Sequence, residues 1–537
     1  MSIDIGTHAP LCDQKYVDVF SDALRHSREQ ARLRGEAVVA CYALPLAETA
    51  CDLRTLFAAA TAYDVRWYWS DPGERTRWCA LGATTVRECE GLQPVSEAAQ
   101  ALAGLNRRVL CFGDATARWL AGFAFDAEQP RDERWREWPN GLLMLPRFVV
   151  EQHSEHPIMV TVCVQVEAHT DTERQCDDLI AELVGALDGA RIDAEQADRA
   201  GTDRTETDMA GTGGTGGTGT DGARCRDAGD GRRLFAAAGE GEENGEEVYE
   251  ATVSSDLPKL PGLPDLPPGM EAWTEAILSI EGDLRQGFYE KVVMARRERV
   301  SVQSFVRLPQ TLRDLEARYG DGVVFAVALG FQVFAGATPE RLVQARQGDV
   351  SIDCLAGTAP RGDSRSEDDS MAAMLLASHK NREEHAFVLR GIVGDIKGAV
   401  EAVNVPDAPV IRRLANVQHL YTPVRGRLST TMSILDIVAR LHPTPAVAGS
   451  PKQTALQIIR EREHMDRGWY AGPLGWIDGE GNGMFVVTLR SALMDEHGAD
   501  LFAGAGIVEG SEPLTEWRET EWKMRPMRVA LGQELMR

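Results

Sequence analysis

The chain is 537 residues long, 43% hydrophobic and 26% charged, a globular composition with enough apolar material for a large core. Its 57 Lys and Arg against 82 Asp and Glu leave a net charge of −25, a field that repels phosphate backbones and anionic lipid surfaces. Nucleic-acid and membrane partners are therefore not expected, and no run of about 18 apolar residues is present to span a bilayer.

Seven of the basic residues are lysine and the rest arginine. Such an acidic, lysine-poor surface suits high salt, where screening removes self-repulsion, and equally fits a GC-rich source with an acidic proteome. The opening MSIDIGTHAPLCDQ lacks a basic start followed by an apolar stretch, so no signal peptide is expected. The ten cysteines are scattered, with no CxxC pair and no Cys–His cluster of zinc spacing. They read as mostly buried thiols in a reducing cytoplasm.

In chain order, helical periodicity over Asp18 to Arg34 is followed by strand-like segments VRWYWS, RVLCFG and IMVTVCVQV, and by a helix over Asp177 to Leu187. Residues 1–192 thus form one mixed region. From Asp193 to Glu247 the chain is rich in Gly, Thr, Asp and Glu. That composition buries too little apolar surface to offset ordering entropy, so 193–247 is expected to be a disordered insertion. No GK[ST] follows its glycines, which argues against a phosphate loop. Residues 248–270 contain LPKLPGLPDLPPG, an extended proline-rich connector.

Residues 271–537 open with a helix over Glu271 to Gln286 and a strand at KVVMARRERV. FAVALGFQVFAGA reads as two strands meeting near Gly330, and a single long helix is expected over Ser366 to Lys397. A helix near Met432 to Leu441, a hairpin turning at GEGNG, the strand LFAGAGIV and a last helix from Thr515 complete the pattern. Hairpin-linked strands among helices predict an α+β fold of large antiparallel sheets flanked by helices.

Several residues invite a chemical reading, each beside a plainer one. Glu516, Glu519 and Lys523 share one face of the last helix, and Glu383, Glu384 and His385 sit on the long helix. Two such acidic sites can converge on a hard cation such as Mg²⁺, or can be solvated surface. Gly504, Gly506 and Gly510 let backbone amides approach an anion, or serve strand geometry. Arg490 ends an apolar strand and needs an anionic partner, from the protein or from a ligand. Lys291, beside an apolar run, can be a base or a surface lysine, and His442 in LHPTPA reads as a packed histidine.

Taken together, KVVMAR, FAGATPERL, CLAGTAPRG, KNREEHAFV, VQHLYTPVRGRL, LHPTPAVAGSPKQTAL, RGWYAGPLGWID, VVTLRSALM, LFAGAGIV and EWRETEWK occur in this order from Lys291 to Lys523. This series resembles the chorismate-utilising enzymes, which include isochorismate, anthranilate, aminodeoxychorismate and salicylate synthases. Weaker similarity continues upstream in WYWS…ALGA, WLAGFAFD and LLMLPRFVVE. The resemblance is strongest to the isochorismate synthase branch. Enzymes of the family that add ammonia carry glutamine where this chain has Lys291, and tend to have threonine where it has Ala446. No glutaminase partner is therefore implied.

The resemblance implies an isomerase that adds water at C2 of chorismate and expels the C4 hydroxyl, with Lys291 as general base and Glu340 as general acid. It implies Mg²⁺ held by Glu384 and Glu519, with Glu516 acting through water. An acidic position of another family member, in the metal's outer shell, falls on Asn381 here, which leaves open whether Glu383 compensates. Tyr470, Arg490, Lys523 and the amides near Gly504 and Gly506 match the pocket for the enolpyruvyl carboxylate. His419 matches a histidine lining the ring, and Gly357, Thr358 and Ala446 match substrate-lining positions. Menaquinone biosynthesis is the pathway this analogy favours over siderophore biosynthesis. A salicylate synthase and an amination subunit are the alternatives, and Lys291 argues against the latter.

Overall fold

A computed structural model of the chain describes residues 14–46, 52–207, 267, 269–302, 307–362, 364–413 and 417–533. Helix α1 (Gln14–Arg34) precedes β1 (Val38–Pro45), α2 (Leu53–Ala59), β2 (Val65–Asp71) and β3 (Thr76–Cys89). Next come α3 (Pro94–Asn106), β4 (Val109–Phe112), β5 (Arg118–Phe123), β6 (Gly141–His153), β7 (His156–Val166) and α4 (Thr172–Thr207). The chain continues with α5 (Met270–Arg285), β8 (Lys291–Val300), α6 (Leu308–Arg318), β9 (Val323–Leu329) and β10 (Gln332–Thr338). Then follow β11 (Arg341–Arg346), β12 (Asp349–Pro360), α7 (Arg365–Ala377), α8 (His379–Asp395), β13 (Val400–Asn404) and β14 (Val410–Arg413). After β15 (Val417–Leu428) come α9 (Ile434–Leu441), β16 (Gly449–Ser450), α10 (Lys452–Arg462) and β17 (Pro473–Asp478). Strands β18 (Gly483–Val487), β19 (Ser491–Asp495) and β20 (Gly498–Ile507) lead into α11 (Pro513–Ala530).

The strands form one branched, almost wholly antiparallel network, the expected α+β architecture. One arm runs β6–β3–β2–β9–β10–β19–β20–β8–β16. From the other edge of β6, β7 leads to β1 and β4, while β5 leads through β17, β18 and β11 to β12 and β15. The β1–β4 pairing is parallel.

Two cores lie on the faces of this network. The first gathers Trp67, Trp69, Trp78, Trp119, Phe334 and Phe485 with residues of α5, α9 and α10. The second packs Tyr68 and Ala326 under α1, α2, α4, α6 and α11. Strand β2 therefore sends alternate side chains into two different cores and is buried along nearly its whole length, although its sequence alternates like a half-exposed strand.

By its internal contacts, one compact unit joins residues up to Ala197 with those from Gly269 onward. Residues 198–268 form a second unit, of which the helical backbone 198–207 is described. The helix expected to end near Leu187 runs to Thr207, so residues 193–207 are helical rather than part of a disordered insertion. The rest of that insertion, and nearly all of the proline-rich connector, lie outside the described residues.

The helix expected over Ser366 to Lys397 is two helices. Ser378 adopts an extended backbone between α7 and α8, and its side chain accepts a bond from the Asn381 amide. A serine favours this N-cap geometry, and the cap turns Glu383, Glu384 and His385 from mid-helix positions into first turns of α8. The hairpin holds as β17 and β18, but SALMD forms a separate strand, β19, which pairs with β10 and β20.

Candidate active site

Lys291 opens β8 beside the glycine-rich strand β20, with Val293 opposite Gly506. A Cβ at Gly506 would sit 2.8 Å from Lys291 Cε, so glycine there makes room for the lysine side chain. The ammonium donates to Glu384 Oε1 at 3.2 Å, joining the first strand of the catalytic half to helix α8.

Glu340 lies in the tight link between β10 and β11. Its amide donates to Thr338 Oγ1 at 3.2 Å and its carbonyl accepts from the Val487 amide at 3.0 Å. The backbone is thus fixed from both sides, while the carboxyl group has no hydrogen bond to a described residue. Enclosure by protein pushes its pKa up to about 7, against the pull of Lys291, Lys523 and Arg490; Asp353 adds to the rise. These opposing charges show which groups surround Glu340. Lys291 is thus one of the charged groups that act on Glu340.

Arg490 sits in the bend between β18 and β19 with φ of 49°, a left-handed backbone that its strand position did not foreshadow. Its carbonyl accepts from the Ala337 amide. Burial lowers its pKa, while Tyr319 and Glu340 favour its charge. Among the described residues no carboxylate is bonded to this guanidinium. A cation placed in this way can receive an anionic ligand.

Thr358 and His419 are cross-strand neighbours on β12 and β15, next to a register shift at Gly357. Gly357 has φ of 77°, and a Cβ there would press on Asn381 at 3.2 Å. Thr358 Oγ1 lies 2.9 Å from His419 Nδ1. Burial holds His419 down to about 4, helped by Arg490, Lys523 and Arg412, so its ring is neutral at pH 7. Tyr470 stacks on Phe502 with centroids 5.2 Å apart. Burial pushes its hydroxyl pKa up, against the pull of Arg467 and of the Gly504 backbone. The Gly504 carbonyl accepts from Lys523 Nζ at 2.8 Å.

On α11, Lys523 also pairs with Glu519 at 2.7 Å, one turn away. Glu516 has its pKa raised by burial and by the neighbouring Glu519, against a Ser511 bond, Lys523 and Lys380. Lys380 precedes Glu384 by one turn of α8, so the acidic stretches of α8 and α11 flank the same region. Glu383 pairs instead with His379 at the surface, 3.3 Å away, and does not replace an acid at Asn381. Asn381 donates to Ser378 Oγ at 2.8 Å. His385 is buried between the Ala356 carbonyl and Thr422. Ala446 lies in the loop before β16, which ends against Lys291 on β8; no bond ties it to the cluster.

Glu384, Glu516 and Glu519 offer the hard oxygen donors that suit Mg²⁺. Glu384 is taken up by Lys291 and Glu519 by Lys523. Among the described residues no three acidic, His or Cys groups already converge as a ligand set. The donor chemistry fits a divalent cation, and closing the set requires the carboxylates to turn from their present partners.

His442 is packed as expected, its Nε2 3.0 Å from the Phe125 carbonyl. Sequence reasoning missed Tyr319 and Asp353, which act on Arg490 and Glu340, and the pair Arg467–Glu463 beneath Tyr470. The i,i+4 spacing of the last pair was the available signal. A surface hollow of about 520 Å³, lined by Gln344, Arg346, Arg425 and Arg427 among others, holds none of the site residues.

The family model for chorismate binding enzymes matches residues 26–210 and 254–532. The chain belongs to that family. A salicylate biosynthesis isochorismate synthase of Pseudomonas aeruginosa is 45% identical over 260 residues, 48% of this chain and 54% of the relative. Isochorismate synthase MenF of Bacillus subtilis is 41% identical over 262 residues, 49% of this chain and 56% of the relative. The matched segment thus spans little more than half the length of these relatives. The structure of MenF, the menaquinone-specific isochorismate synthase from Escherichia coli, aligns over 95% of this chain and all of that one, with TM-score 0.65 and 23% identity. Anthranilate synthase component I of Streptococcus pneumoniae aligns over 84% and 92%, with TM-score 0.59 and 18% identity. These structures share the fold.

Proposed function

We propose that this chain is an isochorismate synthase, an isomerase that converts chorismate to isochorismate. The observation that carries this reading is Glu340, which keeps its proton up to about pH 7 although the charges of Lys291 and Arg490 act on it, beside an Arg490 with no bonded carboxylate among the described residues. Addition of water at C2 with loss of the C4 hydroxyl needs a base on one side and an acid on the other. Lys291 in its amine form takes a proton from the attacking water. Glu340, protonated near neutral pH, gives a proton to the departing hydroxyl, so that one water enters and one leaves.

Arg490 and Lys523 receive the enolpyruvyl carboxylate, and Tyr470 closes that end of the pocket. Neutral His419, oriented by Thr358, lines the ring. Bound by Glu384 and Glu519, with Glu516 reaching it through water, Mg²⁺ would neutralise the ring carboxylate. These local cations outweigh the distant, screened field of a chain with net charge −25. We place the product in menaquinone biosynthesis, a reading supported by the full-length alignment with the menaquinone-specific structure and opposed by relatives named for salicylate or siderophores.

The test is purified protein with chorismate and Mg²⁺, its products separated by chromatography. Isochorismate is expected, and chelation by EDTA should stop turnover until Mg²⁺ is restored. Salicylate with pyruvate would make the chain a lyase instead, and full activity in EDTA would remove Glu384 and Glu519 from the metal.

A further inference from the structure

Far from these residues in sequence, three cysteines fall into one row. Cys41 on β1 is directly opposite Cys111 on parallel β4 and directly opposite Cys163 on antiparallel β7. In-register residues of neighbouring strands project from the same face, so Cys41 is the middle of three adjacent thiols. Cys41 and Cys163 are buried, with sulfurs 2.7 Å apart, whereas Cys111 is exposed to solvent. The other described cysteines, Cys79, Cys89, Cys176 and Cys354, are all buried.

Strands lie about 4.8 Å apart, and a disulfide bridges Cα atoms about 4.4–6.8 Å apart. Cys41 can therefore bond to either neighbour, while Cys111 and Cys163, two strands apart, cannot bond to each other. A linear row is also a poor chelate, and among the described residues no such group is placed to hold a metal. The thiols differ in readiness. The neighbouring Cys41 thiol, together with the Ala117 amide, lowers the Cys111 pKa to about 7. Cys111, Cys163 and burial together raise Cys41.

We infer that Cys111, Cys41 and Cys163 form a thiol–disulfide exchange site, through which a small-molecule disulfide oxidises the buried Cys41–Cys163 pair. The Cys111 thiolate attacks the small disulfide, forming a mixed disulfide and releasing one small thiolate. Cys41, losing its proton to solvent, attacks the Cys111 sulfur, forms the Cys41–Cys111 bond and releases the second thiolate. Cys163, its proton passing to solvent, then attacks Cys41, and Cys111 leaves as a thiolate. Both small-molecule sulfurs are reduced, and two protein thiols are oxidised to one buried disulfide.

The test exposes the folded full chain to oxidised glutathione, quenches with acid, alkylates and maps the peptides. The native chain should yield a Cys41–Cys163 linkage that dithiothreitol reverses. Cys111→Ser removes an exposed side chain, so the fold is expected to survive, which its melting temperature checks. In that variant the linkage should form at least about tenfold more slowly, since the buried thiols lose their accessible entry point. Cys163→Ser should stop at Cys41–Cys111. Equal rates of Cys41–Cys163 formation with and without Cys111, or a lasting glutathione adduct on Cys111 with no internal linkage, would overturn the inference. None of these readouts depends on chorismate turnover.

Discussion

Two arginines from the catalytic half, Arg467 and Arg490, are both enclosed by protein and stand in opposite electrostatic situations. Arg467 is 3% exposed and pairs with Glu463, itself 1% exposed, at 2.5 Å. Its remaining donors reach the Val447 and Val293 carbonyls, and Glu463 also accepts from the Ala295 amide. Arg490 has no bonded carboxylate among the described residues, and its charged neighbour Glu340 is held near its neutral form. The first network is closed and serves the fold beneath Tyr470. The second, among the described residues, is open and leaves room for an anionic ligand. A buried charge without a protein partner is costly, so such a site is informative about ligand chemistry.

The sharpest way to break this comparison is to disable the open site chemically while leaving the closed one untouched. Lys291→Ala and Glu340→Gln should each lower kcat by about 10²–10⁴-fold, the usual worth of general acid and base groups. KM should change less, because both act in the transition state more than in binding. In the parent enzyme the activity that needs protonated Glu340 should fall as pH rises through about 7. If Lys291→Gln still makes isochorismate at the parental rate, Lys291 is not the base.

The converse substitution is Glu463→Ala. It strands the Arg467 charge in the core, and loss of one partner of a buried pair costs about 3–5 kcal/mol of stability. Denaturant or thermal unfolding should show the loss even without substrate. Unfolding unchanged from the parent would mean that the pair is not the support of the site described here.

How much of this contrast could be read from the chain depends on the element. The two strands meeting near Gly330 and the helix opening near Thr515 were legible, because local periodicity and turn residues fix them. The break at Ser378 was not, since the polar face of α7 and α8 continues across it and only the cap reveals it. Lys291 and Glu340 stood out through the ordered motifs, and in the structure the charge of the lysine acts on the acid. Glu384 was told apart from Glu383 by the same motifs, and helix geometry gives the reason: one points to Lys291, the other to His379 at the surface. The cysteine row was invisible, because strand register brings together residues 41, 111 and 163 and no local pattern records register. The left-handed bend at Arg490 was hidden for a similar reason, as the apolar run on either side reads as one strand.

A smaller effect separates the two arginines as ligand and scaffold. Arg490→Ala should weaken substrate binding about 10–100-fold, since a bond to a charged group is worth about 1.5–3 kcal/mol. KM should carry most of that change, and the fold should be no less stable, because the cation removed has no bonded carboxylate among the described residues. A fall in melting temperature like that expected for Glu463→Ala would place Arg490 in the scaffold and close the distinction.

The smallest effect is read from stability against pH. Enclosure raises the Glu340 pKa from its ordinary value near 4.5 to about 7 in the folded chain. Between those limits the folded chain binds the Glu340 proton and the unfolded chain does not, so the group's contribution is fully present below about pH 4.5 and is lost as pH rises through about 7. Glu340→Gln carries no such titration. Partial contact with solvent at the site screens the charge, so the difference is expected to be on the order of 1–2 kcal/mol rather than the full value of the shift. Parent and variant, unfolded thermally in metal-free buffer, should differ by a gap that moves in the variant's favour from pH 5 to pH 8. Other groups that titrate over this range are common to both chains and cancel in the difference. A gap that stays constant, or moves toward the parent as pH rises, would show that Glu340 is ionised in the folded chain at neutral pH. It would then hold no proton for a leaving hydroxyl, and the open site would lack its acid.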